Sequence, residues 1–148
     1  MPKSRMGLQS PTMFPATCLR GPSRLTGFII LADLQQVQSE KLWEKTFSNV
    51  GLIVCCIRKD FMVEYPKNIP ANSQLFFVDA RNKLLRHPEF MQTLPKVREC
   101  LEQGKDVMIH CRESFHRAPI VTACFIYMLC DIAYQVVHLS STMEGSLH

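Results

Sequence analysis

Residues 50–57 read Val-Gly-Leu-Ile-Val-Cys-Cys-Ile, eight nearly continuous apolar positions of β-favouring type with no polar alternation. A strand of that kind needs cover on both faces, and a parallel sheet with helices on either side provides it. Residues 28–31, 74–78 and 107–109 supply further short apolar strands. Between them, residues 35–47 read as a helix, with Ser39 as an N-cap ahead of Leu42, Trp43 and Phe47. Phe90, Leu94, Val97 and Leu101 recur at helical spacing and predict a buried stripe that stops at Gly104. Pro95 lies inside this pattern, so the helix is either kinked there or begins near Thr93 with the proline in its first turn. A last helix opens around Pro119. Strands alternating with helices predict an α/β fold, a central and mainly parallel sheet flanked by helices with right-handed crossovers.

The 148 residues suit one domain, and their formal charge of +4 is not evenly spread. Lys3, Arg5, Arg20 and Arg24 all precede the first acidic residue, Asp33, and from Asp33 onward 13 basic residues face 13 acidic ones. With Pro2, Pro11, Pro15 and Pro22 interspersed, residues 1–24 are expected to be a basic disordered leader, with a weak organelle-targeting segment as the lesser alternative. The folded domain is expected over residues 25–138 and a polar tail over 139–148. A balanced body argues against nucleic-acid binding, which calls for a basic face or stripe. The uncharged run over residues 118–130 is thirteen residues long, and a membrane span needs about 17–25.

Seven cysteines with no Cys-x-x-Cys pair and no apolar secretory stretch at the start fit a reducing compartment, cytoplasmic or nuclear. Cys18, Cys55, Cys56, Cys100, Cys124 and Cys130 are then expected to be small core hydrophobes. His87, His138 and His148 show no metal-ligand spacing, and no metal or other cofactor is expected.

Cys111 stands apart. In Val107-Met108-Ile109-His110-Cys111-Arg112-Glu113-Ser114-Phe115-His116-Arg117-Ala118-Pro119 a buried strand delivers a cysteine to a five-residue loop that closes on an arginine where a helix begins. Such a loop can turn successive N–H groups inward as an anion nest, and the positive end of the helix adds to the field. Helix N-termini and nearby cations favour the thiolate, the nucleophilic form. Arg117 offers a planar fork to two phosphate oxygens, a geometry that lysine lacks. The pattern describes a phosphate site, residues 112–117, with a nucleophile at its floor.

His-Cys-x-x-x-x-x-Arg between an apolar strand and a helix resembles the active-site motif of cysteine-dependent protein tyrosine phosphatases. His110-Cys111-Arg112-Glu113 with Arg117-x-Pro119 is most similar to the small dual-specificity branch. The resemblance covers about residues 25–135 and is concentrated in the motif. It implies that Cys111 attacks phosphorus to form a phosphocysteine, that Arg117 and loop amides hold the equatorial oxygens, and that water then hydrolyses the intermediate without a metal. It also implies an aspartic acid on a loop after a strand, and Asp79, 32 residues ahead of Cys111, has that position. Asp60 and Glu64 are fallback acids, and capping a turn is the other role open to Asp79. His110 would support the thiolate through hydrogen bonds or be a satisfied buried histidine. Arg112 and His116 add positive charge at the rim.

The implied substrates are proteins carrying phosphotyrosine and phosphoserine or phosphothreonine. A catalytically impaired domain that binds phosphorylated partners is the alternative, and a phosphoinositide or RNA 5′-phosphate substrate is a further one. Ala118 stands where the family usually has Ser or Thr to stabilise the departing thiolate, which favours slow breakdown of the intermediate. Ser114 stands where close relatives often have Gly, a strained choice if φ is positive there. Residues 118–137 are apolar all round, as in a helix buried on every side. Family domains continue further, so the chain is expected to lack the last family helices and to expose a face open to a partner or a second copy.

Overall fold

The computed structural model describes residues 10–19, 25–57, 61–70, 73–77, 88–112 and 117–130. Among these residues there are five strands: β1 Thr12–Pro15, β2 Phe28–Ala32, β3 Val50–Cys55, β4 Gln74–Phe77 and β5 Asp106–His110. The helices are α1 Leu34–Val37, α2 Glu40–Lys45, α3 Pro88–Glu102 and α4 Arg117–Leu129. The strands form one mixed sheet in the order β1-β2-β5-β3-β4, parallel except where β1 runs antiparallel to β2. The chain is therefore α/β with a mainly parallel sheet.

Period-two alternation along the inner strands divides the apolar core between two faces. Ile29, Leu52, Val54, Val107 and Ile109 face α3 and α4, meeting Phe90, Val97, Leu101, Val121 and Phe125. Ile30, Ala32, Ile53 and Met108 face the α1–α2 side, meeting Val37, Trp43 and Phe47. Phe90 stacks on Phe125 with centroids 4.6 Å apart, which ties α3 to α4. β5 is central, and every one of its residues is buried.

Several boundaries differ from the sequence-based expectations, each for a local reason. Part of the expected leader belongs to the fold: β1 pairs Thr12 to Pro15 with Leu31 to Phe28, and Ala16 is fully buried with its N–H donated to Gly27. Four prolines suggested disorder, but an edge strand tolerates a proline where no ladder donor is required. The helix expected over residues 35–47 is two short ones. Asp33 and Gln36 form a capping box at α1, then Ser39, extended at φ −86° and ψ 111°, interrupts the helix and caps α2 by accepting from Leu42 N–H at 3.3 Å. In α3, Pro95 lies in the interior rather than in the first turn. Pro95 and Met91 are both exposed, so the carbonyl left without a donor is on the solvent side. Gly104, at φ +79°, ends the helix, and Gly104 and Lys105 return hydrogen bonds to Leu101 and Cys100.

Helix α4 is not buried on every side. Ala118, Val121, Thr122, Phe125 and Leu129 face the core, whereas Ile120 and Tyr127 are 57% and 55% exposed. Cys18 is exposed rather than in the core. No helix among the described residues is long and apolar enough to cross a membrane.

Candidate active site

In parallel sheets, ligands gather beyond the carboxyl ends of the strands, where loops and helix N-termini converge. β5 delivers Cys111 to that edge. The side chain follows the parity of Val107 and Ile109 and lies on the α4 face, 3% exposed. Six residues later Arg117 starts α4, and the N–H of Ala118 donates to Cys111 Sγ at 3.4 Å. The sulfur thus sits at the positive end of a thirteen-residue helix, within hydrogen-bonding distance of one of its first-turn N–H groups. Pro119, third in the helix, gives up only an N–H that would have no intrahelical acceptor there.

Neighbouring groups share this edge. Cys56 N–H donates to the His110 carbonyl at 2.7 Å, joining the end of β3 to the end of β5. Burial pushes the Cys56 thiol well above its ordinary pKa, with Cys111 and Cys55 adding to the effect and the charge of Arg117 opposing it. Burial also raises the Cys55 thiol. These two cysteines are therefore neutral at pH 7. Arg117 is half-buried and close enough for its charge to act on this cluster.

His110 points to the opposite face, wholly buried, and burial lowers its pKa to about 4. Its Nε2 lies 2.7 Å from the Tyr65 hydroxyl, while Nδ1 has no hydrogen-bond partner among the described residues. Arg112 is exposed, with its guanidinium 4.8 Å from the centroid of Phe61, and its carbonyl accepts from Leu34 N–H at the start of α1. Cys111, His110, Arg112 and Arg117 therefore share one edge of the sheet. Tyr65 and Phe61 carry no local sequence signal: both fall in a segment read only as a loop, and the Tyr65–His110 pair spans 45 residues.

Glu113, Ser114, Phe115 and His116 of the expected phosphate loop lie outside the described residues, as do Asp79 and Asp60. The approach to Asp79 is described: Phe77 of β4 pairs with Cys55, and Cys55 with His110, so the three strands end level. Glu64 is exposed and directly precedes Tyr65. An open groove of about 340 Å³, lined by Gly51, Gln74, Lys96, Glu99, Cys100 and Lys105, lies at the other end of the sheet, away from Cys111.

Set against protein-family models, curated proteins and solved structures, the chain shows no match in any of the three comparisons.

Proposed function

We propose that the chain is a cysteine-dependent phosphatase acting on phosphorylated proteins, of the dual-specificity type. The observation that carries this reading is Cys111 at the carboxyl end of the central strand, accepting the Ala118 N–H at 3.4 Å with Arg117 opening the helix. The pairing puts a nucleophile and an oxyanion-binding group at one helix terminus.

In the proposed reaction, the Cys111 thiolate attacks phosphorus and the bond from phosphorus to the substrate oxygen breaks. Asp79 donates the proton that the leaving oxygen needs, and Arg117 and loop amides hold the three equatorial oxygens. Water then attacks the phosphocysteine, its proton passes to Asp79, the S–P bond breaks, and inorganic phosphate leaves with the thiolate restored. General-acid help of this kind contributes about 10²–10⁴-fold.

A second reading, phosphate-ester binding with little turnover, is favoured by one observation. The side chain beside the sulfur is the methyl group of Ala118, fully buried, and offers no hydroxyl to the departing thiolate. Pre-steady-state hydrolysis of an aryl phosphate separates the two. A burst of one equivalent followed by slow turnover, lost in Cys111→Ser, supports the phosphatase; no burst but retained phosphopeptide binding supports the binding module. Equal hydrolysis by wild type and Cys111→Ser would eliminate the phosphatase reading, and failure to bind even vanadate would eliminate both.

A further inference from the structure

The segment ahead of β4 is fastened across the carboxyl edge of the sheet at several points. Gln38 Nε2 donates to the Glu64 carbonyl at 3.3 Å, Asn68 Nδ2 donates to the Glu40 carbonyl at 3.0 Å, and the Tyr65 hydroxyl lies 2.7 Å from His110 Nε2. Phe61 and Met62 stand at the head of this segment, 38% and 84% exposed. The Phe61 ring carries the guanidinium of Arg112, 4.8 Å from its centroid.

Arg112 directly follows the nucleophile. Its carbonyl accepts the Leu34 N–H at 3.3 Å and its side chain rests on the ring, so both ends of an exposed residue are fixed. Among the described residues no carboxylate forms an ion pair with it. A stacked guanidinium gives one face to the ring and keeps its in-plane N–H groups available for a fork on a carboxylate. Holding it in place beforehand lowers the entropy cost of that contact.

A group bound at Cys111 and a second bound at Arg112 belong to one ligand, since consecutive Cα atoms are about 3.8 Å apart. Each extended residue of a peptide adds roughly 3.3–3.6 Å, so positions within about three residues of the phosphorylated one are in reach. An inositol headgroup would bring only further phosphates and nothing for Phe61 and Met62 to cover, whereas a peptide brings apolar side chains along with its carboxylates.

We propose that Arg112 is a specificity-determining residue that binds a carboxylate flanking the phosphorylated residue, with Phe61 as its positioning residue, so that the ligands are acidic phosphopeptides. The proposal rests on the reading of Cys111 as the floor of a phosphate site.

The test measures peptide binding to the full chain carrying Cys111→Ser, which leaves a bound phosphopeptide uncleaved. The probes are a phosphotyrosyl peptide with alanine at every flanking position and a set with one aspartate or one asparagine at each position in turn. Arg112 also belongs to the phosphate loop, so the readout is the ratio of affinities for aspartate and alanine peptides, in which a general loss of phosphate binding cancels. At one or more positions aspartate, and not asparagine, should tighten binding about threefold to fivefold, the upper range of an exposed ion pair, and high salt should remove the gain. Arg112→Gln should abolish the preference, and Phe61→Leu, which keeps apolar bulk and removes the π face, should lose about half of the gain. No aspartate preference at any position, or one that survives in Arg112→Gln, overturns the proposal. A full preference in Phe61→Leu overturns the role given to Phe61. Inositol trisphosphate that binds more tightly than every aspartate peptide, and does so through Arg112, overturns the choice of a peptide. Equal binding of all the peptides defeats only this proposal, whereas failure to bind any phosphopeptide or vanadate defeats the phosphate site with it. An aspartate preference in a chain that turns nothing over with Cys111 intact removes the phosphatase reading and supports the role of Arg112.

Discussion

At the scale of single residues, the site combines a cysteine, an arginine and a histidine whose roles depend on which face of β5 or which turn of α4 they occupy. Replacing Arg117 by Lys keeps the charge and removes the bidentate fork. On the proposed phosphatase reading, hydrolysis by Arg117→Lys should therefore fall by about tenfold or more, measured as kcat/KM on an aryl phosphate. Ala118→Ser returns a hydroxyl to the neighbourhood of Sγ. A hydrogen bond to a charged group is worth about 1.5–3 kcal/mol, so steady-state turnover should rise by roughly 10- to 150-fold if intermediate breakdown limits it, with the burst unchanged. His110 predicts a pH dependence of stability. Its pKa is lowered to about 4 in the folded chain from an ordinary 6.5, so between these values the unfolded state binds the proton and the native state does not. Stability is then full above pH 6.5 and declines as the pH falls toward 4, by roughly 2 kcal/mol at pH 5. Urea unfolding at pH 7 and pH 5 should show that loss in the wild type, and most of it should be absent in His110→Gln.

At the scale of elements, caps and close approaches set the boundaries that apolar periodicity leaves vague. Trp43 and Phe47 mark a helical face correctly, but the break before them comes from Ser39, whose side chain satisfies Leu42 N–H in place of a backbone carbonyl. Ser39→Ala should cost about 1 kcal/mol in urea unfolding at pH 7. Gly27 precedes β2 at φ +82°, and a Cβ there would lie 2.3 Å from the carbonyl oxygen of Lys105. Both the positive φ and the backbone contact exclude a side chain, so Gly27→Ala should lower stability by about 2 kcal/mol or more. A smaller loss would mean that the β2–β5 crossing can spread at no cost. The α3 stripe and its Gly104 stop are legible in the sequence because they depend on spacing within one helix. The start of α3 at Pro88 is not, since the exposed Pro88 and the half-buried Glu89 belong to no apolar pattern.

At the scale of the whole molecule, the sheet extends beyond the region where apolar periodicity begins. β1 pairs with β2 along four residues, and Ala16 enters the core beside it. A chain lacking residues 1–19 should unfold at lower urea concentration and self-associate, because the backbone of β2 becomes an open edge. Size-exclusion chromatography and urea titration at several concentrations check both effects. The α/β class, the alternation of strands and helices from β2 onward, and a cysteine at a strand end six residues ahead of an arginine at a helix start all follow from contiguous stretches of residues. Each depends on interactions within about a dozen positions, so side-chain type and spacing are sufficient to specify them. The strand order β1-β2-β5-β3-β4, the antiparallel edge strand and the Tyr65–His110 pair instead join segments tens of residues apart. No local pattern encodes such partners. They are set when the two faces of the sheet are covered and each buried polar group must find a donor or acceptor within reach, a condition that exists only in the folded chain.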